Sequence, residues 1–255
     1  MSDVLNISDL SIKINQRVIF QNISFTVREG DAVILSGANG IGKSTILKSI
    51  MRLEPEGKEI TGRITHHRFG DVMELNDAEL QQYRSSIAYL QQCDDYSEMG
   101  NIQVRDIMSE SGEAHSSKTL NNAEVNDLID RWLPRRKDGS RVFDAKSKPG
   151  KFSGGEQRLL SVLSVLATRP DADLLIIDEP LNNLDFNNAR NISNLINKIR
   201  KENPSMGLLM VSHCRIFPFI NREIKIAPEG ASEVSGMYVC HSCFGDPDNE
   251  GYYQD

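Results

Sequence analysis

Gly37-Ala38-Asn39-Gly40-Ile41-Gly42-Lys43-Ser44-Thr45 is the stretch that decides the fold: a glycine, four residues, then Gly-Lys-Ser, the spacing of a phosphate-binding loop. Glycines let backbone N–H groups turn inward and approach phosphate oxygens closely. Lys43 has the reach for β and γ phosphates, Ser44 offers a hydroxyl to Mg²⁺, and the helix that follows adds the positive end of its dipole. Just upstream, Ala32-Val33-Ile34-Leu35 is a short apolar run, the pattern of a buried strand. Downstream, residues 45–53 carry Ile46, Leu47, Ile50 and Leu53 at helical spacing, and Glu54-Pro55-Glu56-Gly57 ends that helix. A loop between a strand and a helix is the context this motif requires.

A second constellation lies further along. Leu174-Leu175-Ile176-Ile177-Asp178-Glu179-Pro180 sets two carboxylates at the end of a buried, parallel-type strand. Strand ends are where α/β sheets hold ligands. One carboxylate there can hold Mg²⁺, and its neighbour can orient or deprotonate a water attacking the γ-phosphate. Phe152-Ser153-Gly154-Gly155-Glu156 is another Gly-rich helix start. Ser153 and Glu156 make a capping box, and the glycines leave the first N–H groups open to an anion.

The bulk composition agrees with a folded globular chain. Its 255 residues can bury a substantial core, as one domain or as one with a sub-domain. A net charge of −7 does not suggest broad nucleic-acid binding. The start, MSDVLNISDL, lacks the basic and apolar segments of a signal peptide, and no apolar run approaches bilayer length, so the chain is expected in the cytoplasm. Four cysteines, Cys93, Cys214, Cys240 and Cys243, are too few for a disulfide scaffold.

The rest reads coarsely. Residues 4–14 and 18–27 alternate as antiparallel strands, and the first ninety residues read as strands and turns around one helix. Residues 86–90 and 207–211 read as strands. Residues 104–108, 123–133, 153–167 and 188–199 read as helices, and 111–122 as a polar loop. After Pro228 the tail is polar.

Taken in order, these motifs resemble those of the ATP-binding cassette (ABC) ATPases, over roughly residues 4–226. Gly37, Asn39, Gly40, Gly42, Lys43, Ser44 and Thr45 match the Walker A loop. Gln92 matches the Q-loop glutamine, with Gln91 the alternative alignment. Ser153, Gly154 and Gly155 match the signature, with Phe152 for the usual Leu and Glu156 for the usual Gln. Asp178 and Glu179 match the Walker B aspartate and catalytic glutamate, Asp185 the end of the D-loop, and His213 the switch histidine. The resemblance implies an α/β P-loop NTPase with a RecA-like mixed sheet core, an N-terminal antiparallel β sub-domain and an inserted α-helical sub-domain. The implied division is 1–92 with 167–228 for the core, 93–166 for the helical signature sub-domain, and 229–255 for a tail.

It also implies chemistry. ATP with Mg²⁺ is held between the phosphate loop of one copy and the signature of another, so a second copy or a related cassette is needed. Glu179 polarises the attacking water, and His213 holds the γ-phosphate. Gln92 touches metal or water, Ser44 and Asp178 hold Mg²⁺, and Lys43, Ser153 and Gly155 stabilise the transferring charge. Ile14 stands where the family places an adenine-stacking aromatic, which leaves ATP against GTP open. The commonest family role implies a separate transmembrane permease and a place on the cytoplasmic face of a membrane. The alternative is a soluble ABC-type ATPase acting on a macromolecule, in iron–sulfur assembly, DNA repair or translation, although nucleic acid is not an expected partner. Residues 131–151, with eight basic and two acidic residues, are a solvated loop or a docking face. Cys240 and Cys243 have the spacing of half a Zn²⁺ site, or are two unpaired thiols.

Overall fold

The computed structural model describes residues 2–53, 57–92, 96, 98–116, 119–169, 171–182, 184–213 and 216–234. Two sheets organise the chain. The first is antiparallel, with strand order β2-β1-β4-β5, built from β1 (Asp3–Ile14), β2 (Arg17–Arg28), β4 (Lys58–His66) and β5 (Gly70–Asp71). The second has order β10-β9-β3-β8-β7-β6, built from β3 (Ala32–Ser36), β6 (Ile87–Leu90), β7 (Leu174–Asp178), β8 (Gly207–Val211), β9 (Arg222–Ala227) and β10 (Gly230–Val234). Strands β9, β3, β8, β7 and β6 run parallel, and β10 is antiparallel to β9.

Side-chain alternation along the buried strands builds two cores. On β7, Leu174 and Ile176 face the antiparallel sheet and α1 (Lys43–Ile50), where Leu10, Phe20, Ile46 and Leu47 lie. Leu175 and Ile177 face the other way, toward the apolar faces of α3 (Val104–Ser116), α4 (Asn122–Trp132), α5 (Gly154–Ala167) and α6 (Phe186–Glu202). Every residue of β7 and β8 is buried, as a parallel sheet covered on both faces requires. No helix of the described residues is long and apolar enough to cross a membrane.

Several elements differ from the sequence expectation. A second helix, α2 (Asp77–Ser85), lies within the first ninety residues. Its signal was present: Asn76 accepts from the backbone N–H groups of Ala78 and Glu79, and Glu79 accepts from Asn76 N, a complete capping box. Tyr83 anchors it, donating its buried hydroxyl to the Ile50 carbonyl at 2.7 Å. The polar loop expected over 111–122 is instead helical to Ser116, with α4 beginning at Asn122. The reason is tertiary: Ser111 donates to the Ser164 carbonyl at 2.9 Å and Ser109 to the Leu120 carbonyl at 2.8 Å, so serines that would compete with a helix are held by neighbours. The polar stretch after Pro228 begins with a strand, because β10 pairs with β9 from Gly230 to Val234. All four cysteines, including Cys240 and Cys243, lie outside the described residues.

Candidate functional site

The phosphate loop joins β3 to α1. Gly37 has φ 140° and Gly42 φ 100°, and neither position has room for a side chain. A Cβ on Gly37 would meet the Ile226 carbonyl oxygen at 2.5 Å, and one on Gly42 the Ile19 side chain at 2.6 Å. Loop curvature here therefore needs glycine both for its backbone and for its bareness. Gly42 caps α1 without any side-chain acceptor, and no acidic residue stands in the first turn. The helix thus keeps its first N–H groups and its positive dipole end for an anion. Asn39 and Gly40 are exposed at the loop tip, while Ser44 and Thr45 are half-buried in the first turn.

Lys43 is 7% exposed and folds back over the loop, its Nζ donating to the carbonyls of Gly37 and Ala38 at 3.0 Å each. Burial pulls its ammonium below the usual lysine range, and the charges of Glu179 and Asp178 oppose that. A second acceptor set, such as phosphate oxygens, would restore what burial takes away.

Sheet order brings distant residues beside the loop. β8 lies between β3 and β7, so the carboxyl ends of three strands present Lys43, Asp178 and His213 together. Ser44 Oγ donates to Asp178 Oδ1 at 2.9 Å. Oxygen donors of this kind, a hydroxyl and a carboxylate with room for water, suit Mg²⁺ rather than a softer metal. Glu179 directly follows β7 with φ 45°, a left-handed backbone that costs about 1–3 kcal/mol in a non-glycine residue. Its N–H donates to the Val211 carbonyl at 2.8 Å, and its carboxylate accepts from His213 N at 3.2 Å, with His213 Nε2 3.1 Å from the other oxygen. Burial raises the Glu179 carboxyl above the ordinary range, against the lowering influence of His213. Burial likewise raises Asp178, with the Ser44 hydroxyl pulling the other way.

Because the fold favours protonated Asp178, its contribution to stability is present at low pH and is lost as pH rises through the raised value. Asp178→Asn keeps an acceptor for Ser44 and carries no charge. It is expected to raise the melting temperature of the nucleotide-free chain at pH 7, by about 2–4 °C for each kcal/mol recovered. That gain should vanish as pH falls below about 3.9, the ordinary aspartate value. Calorimetry across pH reads this directly, and a lowered melting temperature at pH 7 would contradict the burial argument.

Arg158 is the residue that sequence reasoning passed over. It is 8% exposed on α5, and it donates to four main-chain carbonyls: Gln91 at 2.7 Å, Pro180 at 3.1 Å, Asp178 at 3.2 Å and Glu179 at 3.4 Å. One guanidinium thus clamps the strained end of β7 to the segment after β6. The only sequence signal was a lone arginine ahead of the apolar run Leu159-Leu160.

Other expected residues lie apart from this cluster. Ser153 is the N-cap of α5: its hydroxyl accepts from Glu156 N at 3.3 Å, and Glu156 returns the bond to Ser153 N at 2.9 Å. Gly154 is open, whereas Gly155 is buried against Asn188, whose side chain a Cβ would meet at 2.3 Å. Asn188 in turn donates to Asp185 at 2.6 Å, and Asp185 is the N-cap of α6. Gln92 is exposed just past β6. Ile14 is half-buried at the end of β1, before a two-residue turn in which Asn15 and Gln16 both have positive φ. Among the described residues, no hydrogen bond or ion pair joins Ser153–Gly155, Gln92 or Ile14 to the phosphate loop.

Comparison with known proteins adds an independent line. The ABC transporter family model matches residues 20–182. The dipeptide transport ATP-binding protein DppF of Lactococcus lactis subsp. cremoris is 29% identical over 219 residues, 82% of this chain and 66% of that protein. The oligopeptide transport ATP-binding protein OppF of Streptococcus mutans is 29% identical over 205 residues, 79% of this chain and 62% of that protein. The chain therefore spans just under two thirds of these curated relatives. Among solved structures, cbiO1 from Clostridium perfringens, part of the ABC transporter complex cbiONQ, aligns with a TM-score of 0.69 at 19% identity, covering 91% of this chain and 88% of that one. At that identity the likeness concerns the fold.

Proposed function

The chain belongs to the ABC transporter family, and on that premise we propose that it is the ATP-binding and ATP-hydrolysing subunit of a transporter, paired with a second copy or a related cassette and driving a separate membrane-spanning chain. The observation that carries this reading is the meeting of Lys43, Ser44, Asp178, Glu179 and His213 at the ends of three adjacent parallel strands. Lys43 and the open N–H groups of α1 bind the phosphates. Ser44 and Asp178 hold Mg²⁺, which supplies neutralisation of phosphate charge when bound. Glu179, positioned by His213 and by the Arg158 clamp, accepts the proton of the attacking water. Ser153, Gly154 and Gly155 face the nucleotide of the other copy, with Asp185 and Asn188 bracing that edge. Gln92 lies at the hinge between the core, residues 1–92 with 167–228, and the helical part, 93–166. Ile14 contacts the base through apolar packing.

DppF and OppF are both transport ATP-binding proteins, which supports a permease partner and a place on the cytoplasmic face of a membrane. Four of the eight basic residues of 131–151 pair with carboxylates of the chain, which favours the solvated-loop reading of that segment over a docking face. Arg131 pairs with Glu202, Arg135 and Arg141 with Asp130, and Arg136 with Glu156. Zn²⁺ at Cys240 and Cys243 belongs to this reading only as a feature of residues outside those described.

The test is a native pull-down of Glu179→Gln with Mg-ATP in mild detergent, followed by mass spectrometry. A multi-spanning membrane protein is expected with Glu179→Gln and not with Lys43→Ala. Recovery of only the homodimer, or of a soluble assembly, would overturn the transporter role.

A further inference from the structure

A second cluster of polar side chains lies at the opposite end of β7. His66 ends β4, His67 follows it in the turn to β5, and Asp173 immediately precedes β7. His66 is 0% exposed, and its Nε2 is buried without any hydrogen-bond partner. That orphaned nitrogen lies 3.9 Å from Asp173 Oδ2, and His67 Nε2 lies 3.5 Å from the same oxygen. One ligand atom from each of the three residues falls within 4.8 Å of the others. A tetrahedron with bonds of 2.0–2.1 Å has edges of about 3.3–3.4 Å, so the two distances to Asp173 need shorten by only about half an ångström or less and the widest separation by up to about 1.4 Å.

The main chain holds these groups in place. His67 N donates to the Val4 carbonyl at 3.1 Å, Asp173 N donates to the Ser86 carbonyl at 3.0 Å, and the Asp173 carbonyl accepts from Gly207 N at 3.0 Å. His66 is wedged edge-on against Tyr83, with ring centroids 5.4 Å apart. A buried imidazole nitrogen left without a partner is costly, and a native fold that keeps one invites a reason.

We propose that His66, His67 and Asp173 form a binding site for a divalent transition metal, with Zn²⁺ as the cation its two imidazoles and one carboxylate suit best. A water fills the fourth position, on the side where His67 and Asp173 are 28% and 18% exposed. Two groups must yield. Arg68 Nη1 donates to Asp173 Oδ2 at 2.8 Å, and its side chain, 52% exposed, swings into solvent. His66 Nδ1 accepts from Arg68 N over a long 3.3 Å, which leaves the ring proton on Nε2. The metal takes Nε2 and the proton moves to Nδ1, so the bond from Arg68 N is lost and the turn at Arg68 shifts to separate the two facing N–H donors; the ring releases no net proton.

The site is structural. Asp178 lies five residue steps along the chain from Asp173, about 17 Å at 3.3 Å per step, too far for the metal to touch a nucleotide. It staples the antiparallel sheet, through the turn after β4, to the entry of β7. The inference stands independently of the ATPase reading.

The experiment is a Zn²⁺ and Co²⁺ titration of the full chain carrying Cys240→Ser and Cys243→Ser. Saturable binding of one Zn²⁺ per chain is expected, with a raised melting temperature. Asp173→Asn and His67→Ala should each weaken binding at least about tenfold, while Arg68→Ala should tighten it by removing the competing cation. His66→Ala is avoided because its ring fills a core position. Absence of saturable binding, or equal affinity in all variants, overturns the site. Should the double serine chain fail to fold, the unsubstituted chain's Co²⁺ spectrum decides: nitrogen and oxygen bands that respond to Asp173→Asn support the site, and a thiolate-dominated spectrum indifferent to it overturns it.

Discussion

Glu179→Gln is expected to lower ATP turnover by about 10²–10⁴-fold, the contribution of a positioned general base, while nucleotide stays bound. The side chain is 7% exposed and is held from two directions by His213, through its N–H and its Nε2. Gln keeps the shape and an acceptor for His213 N, and it removes only the charge. The fold should tolerate this, since burial already disfavours the charged form of Glu179. The same burial sets the pH dependence. A base must be ionised to act, and its carboxyl is raised, so the ascending limb of the turnover profile should lie above about 4.3, the value of an exposed glutamate. Steady-state phosphate release across pH checks both points. Turnover in Glu179→Gln within a few-fold of the unsubstituted chain would remove Glu179 from the base role.

Lys43→Ala is expected to act earlier, at binding. Its Nζ is buried and bonded to two loop carbonyls, at Gly37 and Ala38. Removing one partner of a buried, hydrogen-bonded charge pair costs about 2–5 kcal/mol, roughly 30-fold to several thousand-fold in Kd. Part of that loss comes from the two carbonyls left behind, which loosens the loop before any nucleotide arrives. Titration calorimetry with Mg-ATP reads the affinity, and thermal melting of the apo chain separates the loosening from the lost phosphate contact. An unchanged Kd would mean that Lys43 serves only to close its own loop. The two variants are complementary: one should hold nucleotide without turning it over, and the other should fail to hold it.

Much of this site is legible in the amino-acid sequence alone. Gly37 and Gly42 announce a loop that side chains cannot enter, and the contacts a Cβ would make at both positions explain why. Asp178 and Glu179 announce a strand end because four apolar residues precede them. These are local signals, carried by a few adjacent residues. β4 is hard to read because most of its residues are partly or fully exposed, so its apolar alternation is faint; pairing with β1 makes it a strand. The helix to Ser116 is hidden because Ser109 and Ser111 find acceptors on other elements, which no window of sequence displays. Arg158 is hidden because its four acceptors are main-chain carbonyls, identical in every residue type.

The sequence by itself determined the phosphate loop, the paired carboxylates, the capped signature helix and the family they indicate, because backbone freedom, capping and hydrophobic periodicity act over a handful of neighbouring residues. Only the tertiary structure decided that Ser44 meets Asp178 across 134 positions, that His213 meets Glu179 across 34, and that His66 is buried facing Asp173. The physical reason is sheet order. Placing β8 between β3 and β7 sets three distant strand ends side by side.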